Sequence, residues 1–160
     1  MNRTITIKGV GRLSLKPDQV AVTLRLKTTD PVYEKAMRTA TAELAQLRAA
    51  ITGVGFAEDD LKTASFDIDT AYESDCDRDG NYRRHFVGNR VAHELKLELA
   101  YDTQRLSRTL GAIAACVAEP ELTIRFTVKD RDGVNAALLE SACVNVKQKA
   151  EILTRAAGVT

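Results

Sequence analysis

The stretch KTASFDIDTAYESDCDRDGNYRRHFVGNRVAHELKLELAYD, Lys62 to Asp102, alternates apolar and polar residues on both sides of Asp79-Gly80. Asp-Gly between two alternating segments is a strong hairpin signal, because a two-residue type I′ turn needs positive φ at both central positions. With Asp79 and Gly80 in those positions, Tyr72 faces Val87, Thr70 faces Asn89, Ile68 faces Val91, Phe66 faces His93 and Ala64 faces Leu95. That face is largely apolar. The other face sets Asp75 against Arg84, Asp69 against Arg90, Asp67 against Ala92 and Ser65 against Glu94. A slip of one residue would destroy both opposite-charge pairs and expose the apolar set. The second strand continues its inward set through Leu97, Leu99 and Tyr101, so it outruns its partner and needs another strand beside it.

Outward from the hairpin, Thr4 to Val10 alternates Ile5 and Ile7 with polar residues and reads as a short first strand. Gly9 and Gly11 then permit a bulge or bend, and Pro17 holds Lys16 extended before the next strand. In that strand Val20, Val22, Leu24 and Leu26 alternate with Ala21, Thr23, Arg25 and Lys27. Asp30-Pro31 supplies an N-cap and a first-turn proline for a helix whose stripe is Ala36, Ala40, Leu44, Leu47 and Ile51, stopped by Gly53 and Gly55. A second helix begins near Asp102-Thr103 with Leu106, Leu110, Ile113 and Val117 on one stripe, and Pro120 ends it. Leu122, Ile124, Phe126 and Val128 form the inner face of a last strand. Asp130 or Asp132 caps a third helix with the stripe Leu139, Cys143, Val146, Ala150, Leu153 and Ala157.

Strands with one apolar face and helices with one apolar stripe fit two layers. The expected fold is α+β: a two-layer sandwich in which a mainly antiparallel sheet of about five strands, including the long hairpin 62–102, carries three helices on one face. At 160 residues the chain fits a single domain, 1–160, or two lobes sharing a core, 1–101 and 102–160. Lys and Arg total 23 against 22 acidic residues, a net charge of +1, so no global field draws the chain to nucleic acid or an anionic membrane. No run is long enough to span a bilayer. The three cysteines, Cys76, Cys116 and Cys143, have neither disulfide-framework nor zinc-site spacing, which points to a reducing compartment.

Candidate chemistry is sparse. Asp75-Cys76-Asp77-Arg78-Asp79-Gly80 matches the opening of a calcium loop, but Phe86 stands where the bidentate Glu should be, and Arg78, Arg83 and Arg84 repel a cation. A solvated hairpin tip is the simpler meaning. Cys76 sits opposite Arg83, which could lower its pKa, yet no enclosing pocket or base is evident beyond His85, which pairs with Ser74. Cys116 and Cys143 fall on helical stripes and read as small core hydrophobes. His93 faces Phe66 on the apolar side and reads as a half-buried residue bonded to backbone. His85 and His93 lie about 26 Å apart along one strand and cannot share a metal within a subunit. Arg83, Arg84 and His85 beside Tyr82 and Phe86 could grip a phosphate chain, but alternation splits them between faces and nearby acids neutralise them. Gly9-Val10-Gly11 is too short for a dinucleotide fingerprint. The expectation is no catalytic, cofactor-binding or metal-binding residue, no cofactor, no nucleic-acid or membrane partner, and an unknown small-molecule ligand, if any.

The order of the elements, with Ile5-Thr6-Ile7-Lys8-Gly9-Val10-Gly11 leading into Lys16-Pro17-Asp18-Gln19-Val20, resembles the SIMPL-domain family, also called the domain of unknown function 541, which includes bacterial periplasmic immunogenic proteins. Gly53-Val54-Gly55-Phe56, Asp60-Leu61-Lys62-Thr63, Phe86-Val87-Gly88-Asn89-Arg90-Val91 and the segment from Lys149 to Val159 carry the resemblance across the whole chain. It implies an α+β fold, homo-oligomers and no established enzymatic activity. Bacterial relatives are linked with the cell envelope and oxidative stress, and a mammalian relative with kinase-associated signalling. Relatives commonly carry a secretion signal and continue into further β structure. The expectations for this chain are therefore a cytoplasmic setting, an open sheet edge covered by self-association, and a non-enzymatic self-associating role, with a small-molecule or metal-ion binding module as the alternative.

Overall fold

The computed structural model describes residues 4–76 and 82–158. Its elements run β1 (Gln19–Asp30), α1 (Tyr33–Gly53), a 3-10 turn (Glu58–Asp60), β2 (Leu61–Cys76), β3 (Tyr82–Ala100), α2 (Thr103–Ala114), β4 (Glu121–Thr127) and α3 (Arg131–Ala156). The fold is α+β, with three helices and a four-stranded sheet among the described residues. The chain divides into two compact units: Asp18–Thr127, and Met1–Pro17 with Val128–Thr160.

In the unit Asp18–Thr127 the sheet order is β2-β3-β1-β4 and every pairing is antiparallel. This is the β-α-β-β-α-β arrangement in which a third strand splits a β-α-β unit. The proximal half of β3 pairs with β1 from Gln19↔Ala100 to Asp30↔Asn89, which supplies the extra strand that the long second arm of the hairpin required. The core follows from the alternation: Val20, Val22, Leu24 and Leu26 of β1 and Leu95, Leu97 and Leu99 of β3 meet Leu47 and Ile51 of α1 and Ile113 of α2. Cys116 joins this core as a small hydrophobe. Val91 packs in a smaller cluster with Ala36 and Ala40 of α1.

The hairpin register holds from Ser65↔Glu94 to Ala71↔Gly88 and shifts by one residue on either side. Ala64 is the extra residue on β2 and Val87 the extra residue on β3, so Thr63, not Ala64, faces Leu95, and Tyr72 faces Phe86, not Val87. Asp75 consequently faces Arg83, not Arg84, and Glu73, not Ser74, faces His85. The second bulge has a tertiary cause. A Cβ on Gly88 would lie 2.7 Å from the Asp30 carbonyl carbon and oxygen and 2.9 Å from Pro31 N, so the hairpin backbone passes directly against the β1–α1 turn. The Asn89 amide fixes this approach by donating to Pro31 O at 3.1 Å. The Asp79-Gly80 turn lies outside the described residues.

The helix starts are only partly as expected. Asp102 caps α2 by accepting from Gln104 N at 2.8 Å and Arg105 N at 3.2 Å, and Asp130 caps α3 by accepting from Gly133 N at 2.9 Å. Asp30 does not cap α1: its Oδ1 accepts from Val32 N at 2.7 Å, a turn bond two residues on, and the helix begins without a side-chain cap. Val117 lies beyond the end of α2 and is exposed, because the helix stops at Ala114 before the stripe reaches it.

In the other unit, residues 4–16 belong to no helix and join no ladder, so the expected strand Thr4–Val10 is not one and the sheet has four strands, not five, among the described residues. Alternation gives two-faced extended backbone; a strand also needs a partner's peptide groups. Here α3 side chains take that role. Asn145 Oδ1 accepts from Val10 N at 3.2 Å, Ser141 Oγ accepts from Arg12 N at 3.2 Å and donates to Arg12 O at 3.3 Å, and Lys149 Nζ donates to Lys8 O at 3.0 Å. Gly9 and Gly11 are not a bend. A Cβ on Gly9 would collide with Val146 Cγ2 and Ala142 O, and one on Gly11 with Leu138 O, so both glycines lie against the helix backbone. The row of α3 that meets the segment therefore runs through Leu138, Ala142 and Val146. The expected stripe shares only Val146 with that row, α3 has no buried residue, and Leu139, Leu153 and Cys143 are exposed. Cys143 is not a core hydrophobe.

Candidate functional site

The unit Asp18–Thr127 presents two different surfaces along the β2–β3 hairpin. On the side away from α1 and α2, alternation places Thr23, Arg25 and Lys27 of β1 beside Glu94 and Lys96 of β3 and Glu121, Thr123 and Arg125 of β4. Cross-strand neighbours on one face sit about 5 Å apart, close enough for long charged side chains to meet. Arg25 Nη2 donates to Glu94 Oε2 at 2.6 Å, Lys27 Nζ to Glu121 Oε1 at 2.7 Å, and Lys96 Nζ to Glu98 Oε1 at 2.6 Å. Farther along the hairpin, Arg90 grips Asp69 with two bonds, Nε to Oδ1 at 3.0 Å and Nη2 to Oδ2 at 2.7 Å. That bidentate hydrogen bond holds the Asp69 carboxyl below its usual range, and the Lys27 bond does the same to Glu121. Two shallow hollows lie on this face, one of about 300 Å³ around Arg25, Glu94, Glu121 and Arg125, the other of about 490 Å³ around Lys27, Asp67, Asp69 and Arg90. Their polar groups are mostly engaged with one another, which suits a charged partner surface better than a tight anion pocket.

The opposite face changes character along its length. Near the helices Val91, Leu95, Leu97 and Leu99 are buried, whereas toward the tip Phe66 and Tyr72 are each 47% exposed, Phe86 51% and Ile68 38%. Tyr72 and Phe86 meet edge to face with centroids 5.8 Å apart, and Arg84 lies over the Tyr72 ring at 4.5 Å. The bulge at Val87 brings these groups together; a straight register sets Tyr72 against Val87 and hides the cluster. Two rings and a guanidinium thus stand together on this face.

His93 lies where the two regions meet and is 8% exposed. It faces Phe66 as the alternation indicated, edge to face at 5.3 Å, but its hydrogen-bond partner is a side chain: Thr63 Oγ1 lies 3.1 Å from Nε2. Burial first, and then the positive charge of Arg48 on α1, push its pKa below the ordinary histidine value. Arg48 itself keeps a buried Nε with no hydrogen-bond partner, and nothing in the sequence pattern of α1 signalled it. Among the described residues the ring's hydrogen-bond partner is Thr63, not a carboxylate.

The remaining candidates scatter. His85 is exposed on β3, and Arg83 and Arg84 occupy successive positions that alternation sends to opposite faces. The residues Asp77 to Gly80 of the calcium-like tip and the Cys76 thiol lie outside the described residues. Among the described residues, no three His, Cys, Asp or Glu side chains are grouped as a metal site would require, and no helix is long and apolar enough to cross a membrane.

Three solved structures align with this chain at low similarity. The B. subtilis GlnK–ATP complex aligns at 7% identity over 70% of this chain and 84% of that one, with a TM-score of 0.27. CutA from Synechococcus elongatus PCC7942 aligns at 12% identity over 80% of this chain and 94% of that one, with a TM-score of 0.27. The de novo designed protein Ferredog-Diesel aligns at 15% identity over 77% of this chain and 99% of that one, with a TM-score of 0.23. No curated protein matches the chain. The family assignment comes from the whole sequence: residues 5–160 match the model of the SIMPL proteins of unknown function (DUF541), and the chain belongs to that family.

Proposed function

We propose that this chain is a non-enzymatic domain that works by self-association, with the apolar face of the β2–β3 hairpin as the contact between copies. The exposed set Phe66, Ile68, Tyr72 and Phe86 carries this reading. Four large apolar side chains on one face, with Arg84 against the Tyr72 ring, have the composition of an interface core with a charged group at its edge. A patch of this kind is complementary to itself about a two-fold axis, since apolar surface meets apolar surface without opposing like charges. Three cysteines without framework spacing support a reducing, cytoplasmic setting, and the family resemblance is the support for a stress- or envelope-linked role.

Sedimentation velocity over a concentration series tests the reading. Self-association that disappears in a Phe66→Asp, Tyr72→Asp double variant with unchanged circular dichroism is the expected result. A monomer at every concentration refutes it. The alternative, a small-molecule or ion-binding module, draws on the hollows around Arg25 and Asp69 on the charged face. A rise in melting temperature with one metal or metabolite class, abolished by Arg25→Ala, would favour it over self-association.

A further inference from the structure

Bonds from every second residue to α3 positions four apart make Lys8 to Arg12 extended along α3, and those bonds fall on one edge only. In extended backbone the N–H and C=O of one residue point to the same edge and those of the next residue to the other edge. The even residues Lys8, Val10 and Arg12 bond Lys149, Asn145 and Ser141. The matching is metric: four residues of helix rise about 6 Å and two residues of strand about 6.6 Å, so segment and helix keep step while running antiparallel. The odd residues Ile5, Ile7, Gly9, Gly11 and Leu13 make no backbone hydrogen bond among the described residues. Among the described residues no strand pairs with that edge.

We infer that this open edge receives an extended peptide strand from another protein, with acidic side chains on one face and apolar side chains on the other. Strand addition uses the partner's main chain for affinity and its alternating side chains for specificity. The two glycines seated on α3 and the three gripping side chains hold the segment extended in advance, which lowers the ordering cost of binding.

Alternation sets the chemistry of the occupant. Because Gly9 and Gly11 face the helix, the even side chains face away from it, and these include the exposed Lys8, Arg12 and Lys16. Residues 4–17 contain those three cations and no acid. Arg12 and Lys149 also line a groove of about 530 Å³ with Asn145 and Gln148. Acidic side chains on the outward face of an added strand would lie beside the cations, where opposite-charge neighbours stabilise and like charges destabilise. Its inward face would lie beside Ile5, Ile7 and Leu13, which calls for apolar residues. A second copy of the segment would double the cations along one ribbon, so an acidic strand is the better occupant.

The test is fluorescence polarisation of a labelled alternating Val-Glu peptide with the full chain. Saturable binding is expected, at least tenfold tighter than for a Val-Lys peptide and weakened at least tenfold when alternate peptide amides are N-methylated, a change that leaves the protein untouched. Leu13→Pro removes one N–H from the open edge without altering the bonds to α3, and it should weaken binding to the same degree with unchanged helical circular dichroism. Arg12→Glu should lower the preference for Val-Glu over Val-Lys. Equal binding of the N-methylated peptide would overturn strand addition, and equal binding of Val-Lys would overturn the acidic partner. Absence of saturable binding, or a Leu13→Pro change that abolishes self-association while the peptide fails to compete, would overturn the inference as a whole. The peptide-binding outcomes do not depend on the hairpin contact, because Phe66→Asp, Tyr72→Asp protein should bind the peptide unchanged.

Discussion

Replacing Gly88 with alanine tests why the long hairpin bulges where it does. The added Cβ would stand 2.7 Å from the Asp30 carbonyl carbon and oxygen and 2.9 Å from Pro31 N. All three are backbone atoms, so no side chain can swing aside. Ordinary contact at about 3.4 Å requires the bulge and the β1–α1 turn to part by about 0.7 Å, a local overpacking of the kind that costs about 1–3 kcal/mol. The φ of +158° at Gly88 is rarely adopted by an L side chain and adds about 1 kcal/mol. The bond from Asn89 Nδ2 to Pro31 O spans the same gap and would stretch with it. The expected loss is about 2–4 kcal/mol, read from urea unfolding as a lower midpoint with unchanged slope. A loss under about 0.5 kcal/mol would show that the turn and the hairpin separate freely, and the tertiary explanation of the bulge would fail.

Gly111→Ala in α2 should do the opposite, because nothing lies within 4 Å of the added Cβ. A gain of about 0.5–1 kcal/mol from helix propensity is expected in the same unfolding assay, and a loss would mean that the helix is not in place. Leu97→Ala, fully buried on the central strand, should cost about 2–5 kcal/mol, while Phe66→Ala on the half-exposed arm should cost far less; equal losses would contradict the division of the hairpin into core and exposed surface. His93 has a lowered folded pKa, so the unfolded chain binds its proton first: stability from this group is full above about pH 6.5 and is lost as pH falls through the lower folded value. His93→Gln should flatten the pH dependence of the urea midpoint just below pH 6.5, and an unchanged slope there would assign it to other groups.

The parts of the fold that were legible in the sequence are those decided within one or two neighbouring strands. Asp69 and Arg90 could be paired from the Asp79-Gly80 turn and alternation alone, and they meet with two hydrogen bonds. Arg25 with Glu94 and Lys27 with Glu121 could not, since their meeting depends on β3 and β4 flanking β1. The bulges escaped for the same reason. Alternation reports the direction of side chains and carries no record of a third backbone, here the turn at Asp30, pressing on Gly88. Its displaced register is what assembles Tyr72, Phe86 and Arg84, so the aromatic part of the candidate contact was hidden by the event that creates it.

Thr4–Val10 and α3 show the complementary failure. Both patterns were read correctly as geometry, extended in one case and helical in the other, but each was assigned an ordinary partner, a sheet for the segment and a core for the stripe. The sequence held a different signal: Ser141, Asn145 and Lys149 recur every four residues on α3, and their bonds fall on alternate residues of the segment. Those are the two periods that a helix and a strand must have to lie side by side. Polar residues at helical spacing are usually taken as a solvated face, and that assumption concealed a face whose hydrogen bonds go to another backbone. Because the helix satisfies only alternate residues of the segment, the pairing leaves the remaining peptide groups aligned along one edge. The same alternation that made the segment look like a strand thus makes its unfilled edge a specific place for one.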